Sequence, residues 1–187
     1  MAALLRGHPL VRDVRLTGSR ARGEPHELSD WDWEVRTNDF ASLAPELPRL
    51  LAPLDPIAAL WDPYSEIGCF MLILRGPTKV DVLFPDEKRE LDGPYTASAS
   101  SLPAIDPHFW DWILWTEQKR RGGNDDLVAE SLADMHRLML APMGVLRAPK
   151  TVRAALDAYL EARMRLEEIY GVDVPRALQR EVEPVVR

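Results

Sequence analysis

Between Ser29 and Val35 the chain reads Ser-Asp-Trp-Asp-Trp-Glu-Val, three acids alternating with two tryptophans and a valine. The alternation predicts a strand, because successive side chains of a strand point to opposite faces. Asp30, Asp32 and Glu34 then share one face, and Trp31, Trp33 and Val35 share the other. Carboxylates about 7 Å apart along one face repel, and burial adds a desolvation cost. Such a strand is cheap in two settings only: a solvated face, or a face that meets bound cations.

The preceding segment bears on that choice. Gly18-Ser19-Arg20-Ala21-Arg22-Gly23 follows the apolar strand pattern of Val11, Val14 and Leu16, and has the composition of a turn feeding a helix. Backbone N–H groups and a hydroxyl in such a turn can meet phosphate oxygens. Arg20 and Arg22 either add charge there or lie on a surface helical turn. Asp30 and Asp32 are hard oxygen ligands spaced to share divalent cations, and Mg²⁺ prefers one or two carboxylates together with substrate phosphates. A third carboxylate is available downstream. Asp81 is the single acid in the strand pattern Lys79 to Phe84, and it can bind metal or take a proton from an acceptor hydroxyl.

The rest of the chain divides in two. Asp39 to Leu51 has helical spacing behind an Asn38 or Asp39 cap, Ile57 to Trp61 and Gly68 to Leu74 have strand character, and Gly76-Pro77 turns the latter back into Lys79–Phe84. Residues 85–105 are rich in Pro, Ser, Ala and Asp and form a connector. Beyond it the pattern is helical. Asp106-Pro107 has the form of an N-cap and first helical residue, and Lys119-Arg120-Arg121 followed by Gly122-Gly123 has the form of a helix end. Further helices are expected after Asn124, from about Lys150 to Tyr170, and near Pro175. The layout is α+β: a small mixed sheet over residues 1–105, then an all-helical part over 106–187.

These motifs carry a resemblance. GSRARG, SDWDWEV and VDVLF together resemble the nucleotidyltransferase superfamily typified by DNA polymerase β, in the form found in small bacterial antibiotic (aminoglycoside) nucleotidyltransferases. The resemblance covers residues 11–84. It implies Gly18 and Ser19 as the nucleotide-phosphate turn, with Arg20 and Arg22 beside it, and Asp30 and Asp32 as the Mg²⁺ pair. Asp81 becomes the third acid, a metal ligand or base. Its implied reaction is transfer of a nucleoside monophosphate, with ATP as the expected co-substrate, to a hydroxyl of a small molecule. The alternative is a module of toxin–antitoxin type that modifies or binds a partner protein. The family normally has aliphatic residues beside the aspartates, where this chain has Trp31 and Trp33.

Other residues admit two readings. Glu34 either is solvated at the strand end or contacts substrate. Lys119 either reaches a triphosphate or complements a helix C-terminus. Asp111 and Glu117 are expected on an exposed helix face, with receipt of a cationic group or action as a second base as the other reading. Three indoles on one helix (Trp110, Trp112, Trp115) cannot all point inward.

Composition narrows the partners. The net charge of −7 over 187 residues argues against a broad nucleic-acid surface and suits a cationic small molecule. The lone cysteine, Cys69, excludes an intrachain disulfide and a cysteine zinc cluster, and is expected to be buried. Apolar residues 1–5 are followed at once by Arg6, His8 and Pro9, which is no signal peptide, and no apolar run approaches the roughly 20 residues of a membrane span. A cytoplasmic protein without a membrane partner is expected.

Overall fold

Apolar and aromatic residues alternate with polar ones, or run unbroken, in five segments: β1 (Val11–Leu16), β2 (Trp31–Thr37), β3 (Ala58–Trp61), β4 (Ile67–Leu74) and β5 (Thr78–Lys88). They form one mixed sheet in the order β1-β2-β5-β4-β3. Only β2 and β5 run parallel; the other neighbours are antiparallel, with β4 and β5 joined as a hairpin through Gly76, at φ +80°. The computed structural model describes Met1–Arg187 and has two compact units, Met1–Asp92 and Gly93–Arg187. The class is α+β.

In the first unit one face of the sheet carries the core. Val35 of β2, Phe70 and Leu72 of β4, and Val80, Val82 and Phe84 of β5 are buried there with Leu5 of α1 (Ala2–Arg6). Trp31 and Trp33 lie on this same face, half-buried, with parallel rings 6.4 Å apart. The indoles are thus accommodated as a stacked pair at the margin of the core. The short helix α2 (Gly18–Arg22) follows β1.

The expected helix over Asp39–Leu51 is divided. Asp39 caps α3 (Phe40–Leu43) by accepting from the Ser42 N–H, but 3₁₀ turns at Ala44–Glu46 and Ala52–Leu54 flank α4 (Leu47–Leu51). Pro45 and Pro48 have no N–H for the helical ladder, so the chain restarts at each. The apolar spacing survives the break, since Leu43, Leu47 and Leu51 are all fully buried.

The second unit contains α5 (Leu102–Arg121), α6 (Asp125–Met135), a π turn over His136–Leu140, α7 (Val152–Tyr170) and α8 (Ala177–Val186). The segment before α5 is fastened within this unit: the Tyr95 N–H donates to Leu138 O at 2.9 Å, and Tyr170 Oη to Ala97 O at 2.9 Å. Helix α5 starts one turn earlier than the Asp106-Pro107 pair indicates. Asp106 is therefore no cap but a buried residue of the second turn, with Pro107 inside the helix. Asp106 Oδ1 accepts from Trp110 Nε1 at 3.0 Å, from Arg163 Nη1 at 3.0 Å and from Tyr159 Oη, and Arg163 Nη2 reaches Gln179 Oε1. Burial and the neighbouring Asp106 carboxylate push the Tyr159 hydroxyl well above its ordinary value, so it remains a donor. Trp110 is fully buried, whereas Trp112 and Trp115 are partly exposed. No helix is long and apolar enough to cross a membrane.

Candidate active site

The parallel pairing of β2 with β5 sets Asp32 directly opposite Asp81. Both side chains leave the sheet on the face opposite the core, as does Asp30 at the entrance to β2. The result is a cluster in which one carboxylate oxygen from each of Asp30, Asp32 and Asp81 lies within 4.8 Å of the others. Asp30 and Asp81 are buried and Asp32 is half-buried. This is the setting that the alternating acids require if they are not simply solvated.

The turn before β2 is built against the same carboxylates. Gly18 has φ +68°, and a Cβ at that position would lie 2.0 Å from Asp32 Oδ2. Only glycine meets both conditions, the left-handed backbone and the close approach. The Thr17 N–H donates to Asp32 O at 2.8 Å and fixes the turn to β2. Ser19 follows inside α2, so the turn and the acid pair form one local structure.

Arg20 has a definite place in it. Its Nε donates to Ser29 O and Asp30 O, each at 3.0 Å, its Nη2 donates to Ser29 O at 2.7 Å, and its guanidinium lies 4.2 Å from the centroid of the Trp31 ring. The side chain thus holds the backbone on which Asp30 sits. Arg22 points elsewhere, to Glu24 at 3.4 Å on the surface. Glu34 is not left alone on its face: Arg15, its cross-strand neighbour, reaches it at 2.9 Å. That ion pair separates Glu34 from the three clustered acids in charge as well as in position.

Lys79 is a member of the site that sequence reasoning missed. It is 4% exposed, and its Nζ lies 2.5 Å from Asp81 Oδ1. Its signal is present in the strand itself, since Lys79 and Asp81 are two residues apart and must share a face. Burial raises the Asp81 carboxyl above the ordinary carboxylate range; Lys79 opposes the shift, and the negative charges of Asp30 and Asp62 add to it. Asp62, just after β3, is itself raised by burial, which the Tyr64 N–H, Lys79 and Arg89 oppose. The donor set is therefore all hard oxygen and mostly buried, and it fits a divalent cation such as Mg²⁺.

The remaining candidates belong to the second unit. Lys119 lies over the Trp115 ring, 4.8 Å from its centroid. Asp111 and Glu117 are buried, not exposed, and both oxygens of Glu117 accept from arginines, Oε2 from Arg120 at 2.7 Å and Oε1 from Arg121 at 2.8 Å. Residues spaced for the outer face of an isolated helix are covered here because α5 packs against α6, α7 and α8. Cys69 is buried and forms no disulfide.

No family model matches this sequence, and no curated protein matches it. Among solved structures the chain is similar to an aminoglycoside 6-adenyltransferase from Bacillus subtilis, with 10% identity and a TM-score of 0.40, over 99% of this chain and 93% of that one. At this distance the likeness carries no correspondence between residues, and the chemistry is that of the side chains themselves.

Proposed function

We propose that the chain is a nucleotidyltransferase that transfers a nucleoside monophosphate, with ATP as donor, to a hydroxyl group of a small molecule. The observation that carries this reading is the convergence of Asp30, Asp32 and Asp81, with ligand oxygens within 4.8 Å, beside a turn whose Gly18 admits no side chain. Mg²⁺ held by the three carboxylates would neutralise phosphoryl oxygens and the leaving pyrophosphate. The chain's own contributions follow from the geometry. Gly18 lets the turn lie against the Asp32 carboxylate, so that Gly18 and Ser19 would meet the phosphate beside the acids, and Arg20 keeps Asp30 in place by gripping its carbonyl. The acceptor oxygen forms the new bond to the α-phosphorus as the bond to pyrophosphate breaks, and the hydroxyl proton passes to a carboxylate of the cluster. The net charge of −7 favours a cationic acceptor of the aminoglycoside type.

The test is incubation with ATP labelled at the α-phosphate, Mg²⁺ and a panel of aminoglycosides and other polyols. Label on an acceptor with release of pyrophosphate is the expected result. Label on protein alone would move the activity to a macromolecular acceptor. Absence of nucleotide binding, with Asp30→Asn and Asp32→Asn indistinguishable from the parent chain, would end the proposal.

A further inference from the structure

Resting on the nucleotidyltransferase reading of the site, we propose that Trp31, on the core face of the sheet, is a positioning residue for the acid cluster on the other face, and that it acts through the guanidinium of Arg20. The parallel register that places Asp32 opposite Asp81 begins at Trp31, opposite Val80. Asp30 stands just before that register, yet it contributes a ligand oxygen to the cluster. Ser29 and Asp30 are 3% and 6% exposed, so their carbonyl groups need donors from within the protein. Arg20 supplies them. Its Nε donates to Ser29 O and to Asp30 O, each at 3.0 Å, and its Nη2 donates to Ser29 O at 2.7 Å.

These bonds use one edge of the guanidinium, and its flat face is used separately. Arg20 Cζ lies 4.2 Å from the centroid of the Trp31 ring, well inside the roughly 6 Å over which an aromatic face attracts a cation. Trp31 is in turn stacked on Trp33, with centroids 6.4 Å apart and planes 4° from parallel, and both indoles pack against the core. The edge contacts fix where the guanidinium points within its plane, and the indole fixes the plane. An aliphatic side chain at position 31 would fill the core margin but give the cation no face to lie on. A lysine at position 20 would offer a point charge in place of the fork. Loss of an outer group that orients a metal ligand typically weakens metal binding about 10–100-fold, so the indole should be visible in the binding of an ion on the far side of the sheet.

An indole that only fills the core margin would affect stability and leave the affinity for an ion unchanged. Titration of the full chain with Mn²⁺ in the absence of nucleotide, with free ion followed by electron paramagnetic resonance, separates the two. An Asp30→Asn/Asp32→Asn double variant is subtracted to remove weak surface binding. Arg20→Lys and Trp31→Leu are each expected to weaken Mn²⁺ binding by about tenfold or more, and Trp31→Phe, which keeps an aromatic face, by less. Because the two residues act in series, Arg20→Lys/Trp31→Leu should bind no more weakly than Arg20→Lys alone. Val35→Ala takes core contacts from the same strand and face; it should lower the melting temperature and leave the affinity unchanged. A loss of affinity there as large as that of Trp31→Leu would reduce the effect to packing and overturns the proposal. So does parent-like binding by a folded Trp31→Leu, or by Arg20→Lys however the Trp31 variants fold, or additive losses in the double variant; in each case the nucleotidyltransferase reading stands. If the parent chain takes up no Mn²⁺ but still transfers label from ATP, only the role of Trp31 is lost; if it does neither, both readings fail.

Discussion

Each unit buries acid, and the two treat it differently. In the helical unit, Asp106 is surrounded by donors: Trp110, Tyr159 and Arg163 all reach its Oδ1. Negative charge there is met by an arginine and two neutral donors drawn from two helices. In the sheet unit, Asp30, Asp32 and Asp81 converge, and Lys79 bonds to Asp81. The first arrangement ties a charge into the helical core, although the Arg163 Nε of the group is buried without a partner. The second gathers three carboxylates whose oxygens lie within 4.8 Å of one another. The contrast sets a carboxylate surrounded by donors beside carboxylates that face one another.

The contrast can be broken most strongly at Asp106. Asp106→Ala leaves Arg163 charged and buried without its partner, and should lower unfolding stability by about 3–5 kcal/mol. Asp106→Asn, which keeps an acceptor, should cost less. Denaturant midpoints of the two variants check this, and equal losses would show that a neutral acceptor recovers nothing and that the carboxylate charge carries the whole effect. At the other cluster the effects should reverse. Asp32→Asn removes one of three mutually repelling charges, so the metal-free protein should melt no lower than the parent. Label transfer should fall by more than the roughly 100-fold seen when a mere supporter of a metal ligand is lost. A variant that both melts early and keeps its activity would place Asp32 with Asp106 as a structural acid.

Gly18→Ala tests the seam between turn and carboxylate. The left-handed backbone alone should cost about 1–2 kcal/mol, and the new methyl group must push the Asp32 carboxylate aside. Transfer should therefore fall further than the melting temperature predicts, a difference visible when both are measured on one preparation. The smallest effect is expected at the surface of the helical unit. The hydrogen bond from Arg176 holds Glu167 below its ordinary value of 4.5. A group whose folded value is depressed contributes stability above its unfolded value and loses it as the pH falls through the folded one. Glu167→Gln should flatten the decline in stability below about pH 4.5 and leave the neutral-pH transfer rate unchanged; an unaltered acid limb in a pH series would show that the pair adds nothing.

Different amounts of the two clusters are legible in the chain. Asp30 and Asp32 are evident because two-residue spacing on a strand is a local property, and Asp81 because an acid interrupts an apolar strand. Lys79 is less visible, since a lysine after Gly76-Pro77-Thr78 has the look of a turn-flanking charge. Its burial depends on what covers the strand, and spacing along the strand does not contain that. Asp106 is misread for a related reason: Asp-Pro is a strong local cap signal, but the partners that draw the residue inside lie more than fifty positions away, at Tyr159 and Arg163. Asp111 and Glu117 are buried on the same grounds. Pro45 and Pro48 show the reverse, a local signal overlooked beneath a strong apolar period.

By itself, then, the sequence determined the α+β layout, the strand that lines up its acids, and the glycine turn before it. These follow from alternation, side-chain size and backbone freedom, which act over a few residues. Only the tertiary structure decided that Asp32 faces Asp81 across a parallel pair, that Arg20 grips the backbone at Asp30, that Arg15 takes Glu34 out of the cluster, and that Lys79 is sealed against Asp81. Each depends on which strands become neighbours and in what register, and that choice is made by burial of the whole sheet rather than by any one segment.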